Sequence, residues 1–371
     1  MKVVIASDSF KESLSSAQVA EAAARGILSA RPAAEVVCLN IADGGEGVLD
    51  ALSPALGAQT VEVRVRGPLG REVTAAYGIS GGTAIIESAA ACGLMLLSPE
   101  ERNPVEASSF GLGQMIADAL DRGCRDFVVG IGGSAVNDAG IGMLEALGWK
   151  FFDRDGTVLP GKGASLASIE LVDDSGADAR LRDTEFTIAC DVSNPFFGPE
   201  GAAFVFAAQK GADLHQITFL DEGLRNFARV ISAKTGMDVQ QIRGSGAAGG
   251  LGGAFAAFLG AGLRSGADIV LDAVGFDDAI RGACMVITGE GCIDSQTLSG
   301  KAPGAVLMRA LEAGVPVVAI CGRLKLCAGL EDAGFRKIIQ VTPDGMPLEE
   351  ALNPSTAADN VVRACRDLID F

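Results

Sequence analysis

The chain has 371 residues, 49% of them hydrophobic and 21% charged, a composition that suits a folded globular protein and excludes a disordered one. That length exceeds what one hydrophobic core usually fills, so two domains are expected. The formal charge of −17 argues against nucleic acid or an anionic membrane surface as a partner, and any anionic ligand then needs a local cationic pocket or a bound cation such as magnesium.

The predicted elements begin with Val3–Ala6, a continuous apolar run of the kind found in a strand buried on both faces. Ser15 with Gln18 three residues later forms a capping box, and Val19, Ala23, Ile27 and Leu28 mark the apolar stripe of the helix that follows. Pro32 ends that helix, and 36–41 is the next strand. This βαβ unit implies a parallel sheet with a right-handed crossover. The segments 61–65, 73–77 and 84–87 alternate and are separated by Gly-Pro and Gly-Gly turns, as in an antiparallel meander. Further strands are expected at 127–131 and 186–190. Near the carboxyl end the first grammar returns, with strands at 284–288, 315–320 and 337–341 and a helix at 302–313. The reading is one α/β domain from both chain ends (1–77 and 284–371), with a second α/β domain inserted at 78–283.

Several bulk features point to a cytoplasmic protein. The nine cysteines form no C-x-x-C pair and read as scattered reduced thiols. No signal peptide is expected, because Met1 and Lys2 lead directly into the first strand. The uncharged stretch 244–263 has the length of a membrane span, but its many glycines and few bulky residues fit a buried or ligand-facing segment better. No membrane partner is expected.

In open parallel sheets, ligands bind beyond the carboxyl ends of the strands. The loops there are Ser7-Asp8-Ser9-Phe10-Lys11, Ala42-Asp43-Gly44-Gly45-Glu46, Gly132-Gly133-Ser134-Ala135-Val136-Asn137-Asp138, Asp191-Val192-Ser193-Asn194 and Gly289-Glu290-Gly291-Cys292-Ile293-Asp294, with Lys301 soon after. Any one of them is explained by turn chemistry alone. Five together supply what phosphoryl transfer needs: acids, backbone donors and positioned cations. Two familiar motifs fail on context. Gly244-Ser245-Gly246-Ala247-Ala248-Gly249 satisfies G-x-G-x-x-G, yet no buried strand precedes it. Residues 156–162 spell most of a P-loop, but Gly163 stands where the metal-binding hydroxyl belongs, and 151–155 reads as a hairpin. His215, the single histidine, lies in a polar stretch and suits a solvated helix start. A general base must therefore be a carboxylate or a lysine. Trp149 and Tyr77, each unique, read as packing residues.

These loops resemble those of the type-1 glycerate kinases along essentially the whole chain. The resemblance is carried by residues 6–15, 42–47, Arg102-Asn103-Pro104, 130–138, 189–195, Gln209-Lys210-Gly211-Ala212, Gly246-Ala247-Ala248-Gly249-Gly250 and 287–294. It implies two dissimilar α/β domains, one flavodoxin-like and formed from both chain ends, with the active site in the cleft between them. It also implies ATP-dependent phosphorylation of D-glycerate with magnesium, with 2-phosphoglycerate favoured over the 3-phospho isomer. Under that reading Lys11 neutralises phosphate or carboxylate charge, Asp191 acts as base or hydroxyl orienter, and Asp43 positions metal or substrate. Glu290 and Asp294 hold magnesium directly or through water. Ser9, Gly44, Gly45, Glu46, Gly132, Gly133, Ser134, Asn137, Asp138, Asn194, Gly249, Gly250 and Lys301 line the ligands.

The chain departs from the family pattern at Ser7, Val136, Ala139, Ala207-Ala208, Cys292 and around Gly161. The hydroxyl missing at 136 and the guanidinium missing at 292 motivate an alternative, a regulator of the same fold that binds nucleotide or hydroxy acid without turnover. A NAD-dependent dehydrogenase would rest only on the failed Gly-rich fingerprint. Which domain holds ATP, and whether the chain forms a homodimer, stay open at this level.

Overall fold

Continuous apolar runs and alternating ones sort the chain into two sheets of different character. The computed structural model describes residues 1–41, 47–295, 297–298, 301–325, 329–330 and 332–368. Strands run in chain order over Lys2–Ser7 (β1), Glu35–Asn40 (β2), Gln59–Arg66 (β3), Glu72–Ser80 (β4), Thr83–Glu87 (β5), Asp126–Gly130 (β6), Lys150–Phe152 (β7), Val158–Leu159 (β8), Leu171–Asp173 (β9), Glu185–Ala189 (β10), Gly262–Arg264 (β11), Met285–Ile293 (β12), Val317–Leu324 (β13) and Lys337–Gln340 (β14). The chain divides into two compact units, one formed by 1–44 with 267–371 and the other by 45–266.

In the first unit the order is β14-β13-β12-β1-β2 and every pairing is parallel. Counted along this unit the sheet runs 2-1-3-4-5, the flavodoxin-like order, with its topological switch point between β1 and β12. The expected capping box is present in both directions: Gln18 N–H donates to Ser15 Oγ and Ser15 N–H donates to Gln18 Oε1. It starts the Ser16–Ala30 helix, whose Val19, Ala23 and Ile27 are buried with Val3, Ile5 and Val361. The Pro354–Leu368 helix crosses this one at Gly26, where an added Cβ would lie 2.4 Å from the Val362 carbonyl oxygen. Close backbone approach is what that glycine provides.

In the second unit the order is β11-β10-β6-β5-β4-β3. The first four strands are parallel, and β5-β4-β3 is the expected antiparallel meander. Phe127 of β6 stacks on Phe186 of β10 at 4.9 Å between ring centroids, and Tyr77 is fully buried, donating its hydroxyl to Asp118. Trp149 is likewise buried in this core. A small antiparallel sheet, β8-β7-β9, contains the hairpin read at 151–155. The 244–263 stretch forms the buried Ala247–Leu259 helix, and among the described residues no helix is long and apolar enough to cross a membrane.

The boundaries differ from the expected ones at both joins. A cut at 77/78 would bisect β4, whose pairing with both β3 and β5 ties 59–80 to the second sheet. At the other join, Arg309 in the Ala302–Glu312 helix bonds the carboxylates of Asp272 and Asp277 and the Asp268 carbonyl, which ties 268–277 to the first unit. The meander was legible as strands, but its partner sheet was not.

Gly26→Ala should lower the stability of the first unit by about 1–3 kcal/mol, because the Pro354–Leu368 helix has to move away from the new methyl. Denaturant unfolding followed by a probe in that unit checks this.

Candidate active site

The first unit brings β1 and β12 side by side at the switch point. Asp8 N–H donates to the Gly289 carbonyl (2.9 Å), and the Asp8 carboxylate accepts from Ser9 N–H (2.6 Å), so the chain turns immediately beyond β1. Phe10 and Leu14 close a tight turn, with Glu12 at φ +66°. This leaves Lys11 exposed at the carboxyl edge of the sheet. Ser16 Oγ donates to the Ser7 carbonyl (2.7 Å) and accepts from Ile41 N–H (3.1 Å), locking the β1 loop to the end of the β2 segment. The sequence-predicted Asp43, Gly44, Gly45 and Glu46 lie outside the described residues.

Glu290 lies within β12 and is 6% exposed. Its Oε1 accepts from Thr297 Oγ1 (2.6 Å) and its Oε2 from Lys301 Nζ (3.1 Å). The Asp294 N–H donates to the same Thr297 hydroxyl (3.0 Å), so Glu290, Asp294, Thr297 and Lys301 are linked by hydrogen bonds ahead of the Ala302–Glu312 helix. This arrangement does not fit the expected magnesium site. The Lys301 ammonium stands where a metal would meet Glu290, and among the described residues no three His, Cys, Asp or Glu side chains gather to hold an ion. A buried carboxylate needs its countercharge, and here lysine supplies it.

Cys292, where the family pattern has a guanidinium, is the register partner of Arg323 on β13. Residues in register on adjacent strands share a face of the sheet, so an arginine is present beside position 292 although not at it.

In the second unit, β6 and β10 are adjacent and parallel, so the loops at 131–139 and 190–194 leave the same edge. The first is buried through most of its length. Asp138 holds it: Oδ2 accepts from Ser109 N–H (2.7 Å), Ser109 Oγ (2.8 Å) and Gly142 N–H (3.3 Å), and Oδ1 from Gly140 N–H (3.0 Å). Burial pushes this carboxyl up, while the Ser109 and backbone donors pull it back. Its oxygens are thus engaged within the protein, and the residue organises the start of the Phe110–Asp121 and Ile141–Ala146 helices.

Lys210 is the second anchor, and it is one the sequence reading quoted without assigning a role. It is 2% exposed, and its Nζ donates to the Val136 carbonyl (2.6 Å) and to Ser134 Oγ (3.1 Å). Burial pushes its pKa down to about 8, against the pull of Cys92 and Asp138. Because Lys210 grips the main chain at 136, the loop does not depend on a hydroxyl there, and Val136 is compatible with the same fold. The only signal in the sequence was the Gln209-Lys210-Gly211-Ala212 block; nothing in residue type distinguishes this lysine from a solvated one.

Ala248, Gly249 and Gly250 have φ of +53°, +72° and +94°, so the chain kinks out of helical geometry at the start of the Ala247–Leu259 segment. A Cβ on Gly249 would lie 2.3 Å from the Val136 carbonyl oxygen and 2.5 Å from Asn137 Cα, so these glycines let the helix back against the loop. Asn137 is fully buried, and neither amide atom has a partner among the described residues. The Arg102 Nε is in the same condition, and its carbonyl lies beside Gly211. Gly132 and Gly133 are half-buried, and Gly133 accepts from Leu94 N–H at the isolated bridge between Gly93 and Ser134.

Beyond β10, Asp191 is exposed and its Oδ1 accepts from Gly266 N–H (2.9 Å). Asn194 Nδ2 donates to the Glu200 carbonyl (2.8 Å), and its own carbonyl accepts from Gly246 N–H (3.0 Å). His215 is exposed in the first turn of the Leu214–Thr235 helix. The two rejected motifs also settle structurally. A 3₁₀ turn at Val239–Gln241 precedes Gly244, and Gly163 opens another 3₁₀ segment rather than an α-helix.

Lysines, carboxylates and bare backbone at the carboxyl ends of parallel strands in both sheets are the equipment of a phosphotransferase. The pattern of the glycerate kinase family matches residues 3–371. Glycerate kinase of Bacillus subtilis is 42% identical over 371 residues, covering 99% of this chain and 97% of that protein. Glycerate 2-kinase of Escherichia coli K12 is 43% identical over the same shares. A crystal structure assigned as glycerate kinase 2 from Salmonella typhimurium LT2 superposes with a TM-score of 0.88 at 42% identity, covering 100% of this chain and 97% of that one. The chain belongs to the glycerate kinase family.

Lys210 generates a pH test. Its folded pKa lies below the ordinary lysine value, so between about pH 8 and 10.5 the unfolded chain binds the extra proton and stability rises with pH. The penalty of burying the charge is fully present below about pH 8 and relieved above the unfolded value. Lys210→Met should lack this rise, so unfolding midpoints compared across that window should diverge in favour of the wild type as pH increases.

Proposed function

We propose that the chain transfers the γ-phosphate of ATP to D-glycerate, giving 2-phosphoglycerate. The observation that carries the regiochemistry is the 43% identity, over nearly the whole chain, with the E. coli glycerate 2-kinase. Lys11, at the sheet's switch point, neutralises phosphate charge as the bond to the leaving ADP lengthens. Gly132, Gly133 and the unpartnered Asn137 amide supply donors to the hydroxy acid on a loop that Asp138 and Lys210 hold rigid. A buried amide without partners costs about 1–3 kcal/mol, and ligand contact would recover it. Asp191, fixed by Gly266 N–H, accepts the hydroxyl proton, while Asp43 positions the metal or the substrate. Magnesium arrives as the counter-ion of the nucleotide's phosphates, and Glu290 with Lys301 shapes the turn beside Asp294.

Purified protein with ATP, magnesium and D-glycerate should therefore release ADP and give a single phosphorus NMR product resonance matching authentic 2-phosphoglycerate. A 3-phosphoglycerate resonance would reverse the regiochemistry, and binding without ADP release would leave a regulator in its place.

Asp191→Asn keeps the side-chain shape and removes the proton acceptor. Its kcat should fall by about 10²–10⁴-fold with ATP affinity little changed. Steady-state kinetics with nucleotide titration separates this from the outcome in which kcat survives and the magnesium requirement rises, which would exchange the roles of Asp191 and Asp43.

A further inference from the structure

The carboxyl edge of the first sheet holds a cavity of about 550 Å³, within the range of small-ligand sites. All of its lining residues belong to the first unit: they come from the loop after β1, from the carboxyl-terminal parts of β12 and β13, from the end of β14 with the loop after it, and from the Leu348–Leu352 and Pro354–Leu368 helices. This is where an open parallel sheet of flavodoxin-like order takes ligands. Its lining is apolar at Phe10, Val341, Met346 and Leu352, and it carries two exposed cations, Lys11 and Arg323.

The walls are built rather than incidental. Gln340, the last residue of β14, accepts from Leu324 N–H (3.0 Å) and donates from Nε2 to the Thr342 carbonyl (3.0 Å) and to Asp344 Oδ1 (3.2 Å), tying the 341–346 loop to β13. The Asn360 amide donates to Met346 Sδ (3.7 Å), which seats that side chain. In the same lining, Ser13 Oγ is buried and has no partner among the described residues. A polar atom withdrawn from water and left unpaired marks a place where a ligand's hydrogen-bonding group fits.

We propose that this cavity takes the adenosine end of the nucleotide, with Lys11 and Arg323 directed to its phosphates; the assignment rests on the reading of the chain as an ATP-dependent kinase. The chemistry matches in each part. A flat, weakly polar base suits an apolar slot, ribose and base edges meet Ser13 and Thr342, and the anionic tail meets the two cations.

Photolabelling of the wild-type protein with 8-azido-ATP, followed by peptide mapping, tests the placement without altering the fold. Label is expected in peptides spanning 337–357, and label confined to 45–266 would overturn the proposal. Ala351→Phe, on the half-exposed wall of the same cavity, should weaken ADP binding in equilibrium dialysis by about tenfold or more and raise KM for ATP, with KM for D-glycerate within about twofold of wild type. Unchanged ADP affinity in a folded variant would count against the site. Wild-type turnover with label in the second unit sinks only this placement, whereas a wild type that neither binds ADP nor consumes ATP sinks the kinase reading as well.

Discussion

A loop whose backbone is withdrawn from water must have its polar groups met inside the protein, and the 131–139 segment of the second unit meets that demand with one buried anion and one buried cation. Asp138 gathers four donors from two helix starts, and Lys210 reaches in from the far side to grip the Val136 carbonyl. Replacing either group singly is costly, since it leaves a buried charge or a buried carbonyl without compensation. Gly249 then approaches at a distance no side chain allows. The half-buried glycines 132 and 133 are thereby held by a frame whose charged anchors are already satisfied within the protein.

What was readable in the amino-acid sequence follows from how local each feature is. The β1 run, the Ser15–Gln18 box and the β3–β5 meander are set by a few neighbouring residues, and each appears where its pattern puts it. Features set by distant partners were not readable in the same way. The β12 strand runs on to Ile293, through a glycine-rich stretch that reads as a loop, because β13 pairs with it as far as Ile293. The Ala247–Leu259 helix tolerates its glycines because Phe196 would meet a Cβ on Gly253 at 2.6 Å. The strand-end loops were identifiable by composition, yet Glu290's engagement by Lys301 and the burial of Lys210 depend on side chains converging from elsewhere in the chain.

Charge gives the two edges their different tasks. The molecule carries −17, and many of its cations are committed: Arg309 to Asp272 and Asp277, Arg180 to Asp178 and Asp121, Arg229 to Glu170, Lys234 to Asp174. Such exposed pairs stabilise little, but they neutralise the arginines and lysines concerned as attractors of a free anion. Among the described residues no ion pair engages Lys11 or Arg323. Both stand at the carboxyl edge of the parallel sheet, against a cavity. A polyanion approaching this acidic protein is repelled over most of the surface, and uncommitted cations at this edge oppose that repulsion locally. Screening acts on both parts of that field. Under the proposed placement, nucleotide capture at this edge responds to salt through the balance of local attraction and global repulsion, whereas the buried Asp138 and Lys210 framework is shielded from solvent ions.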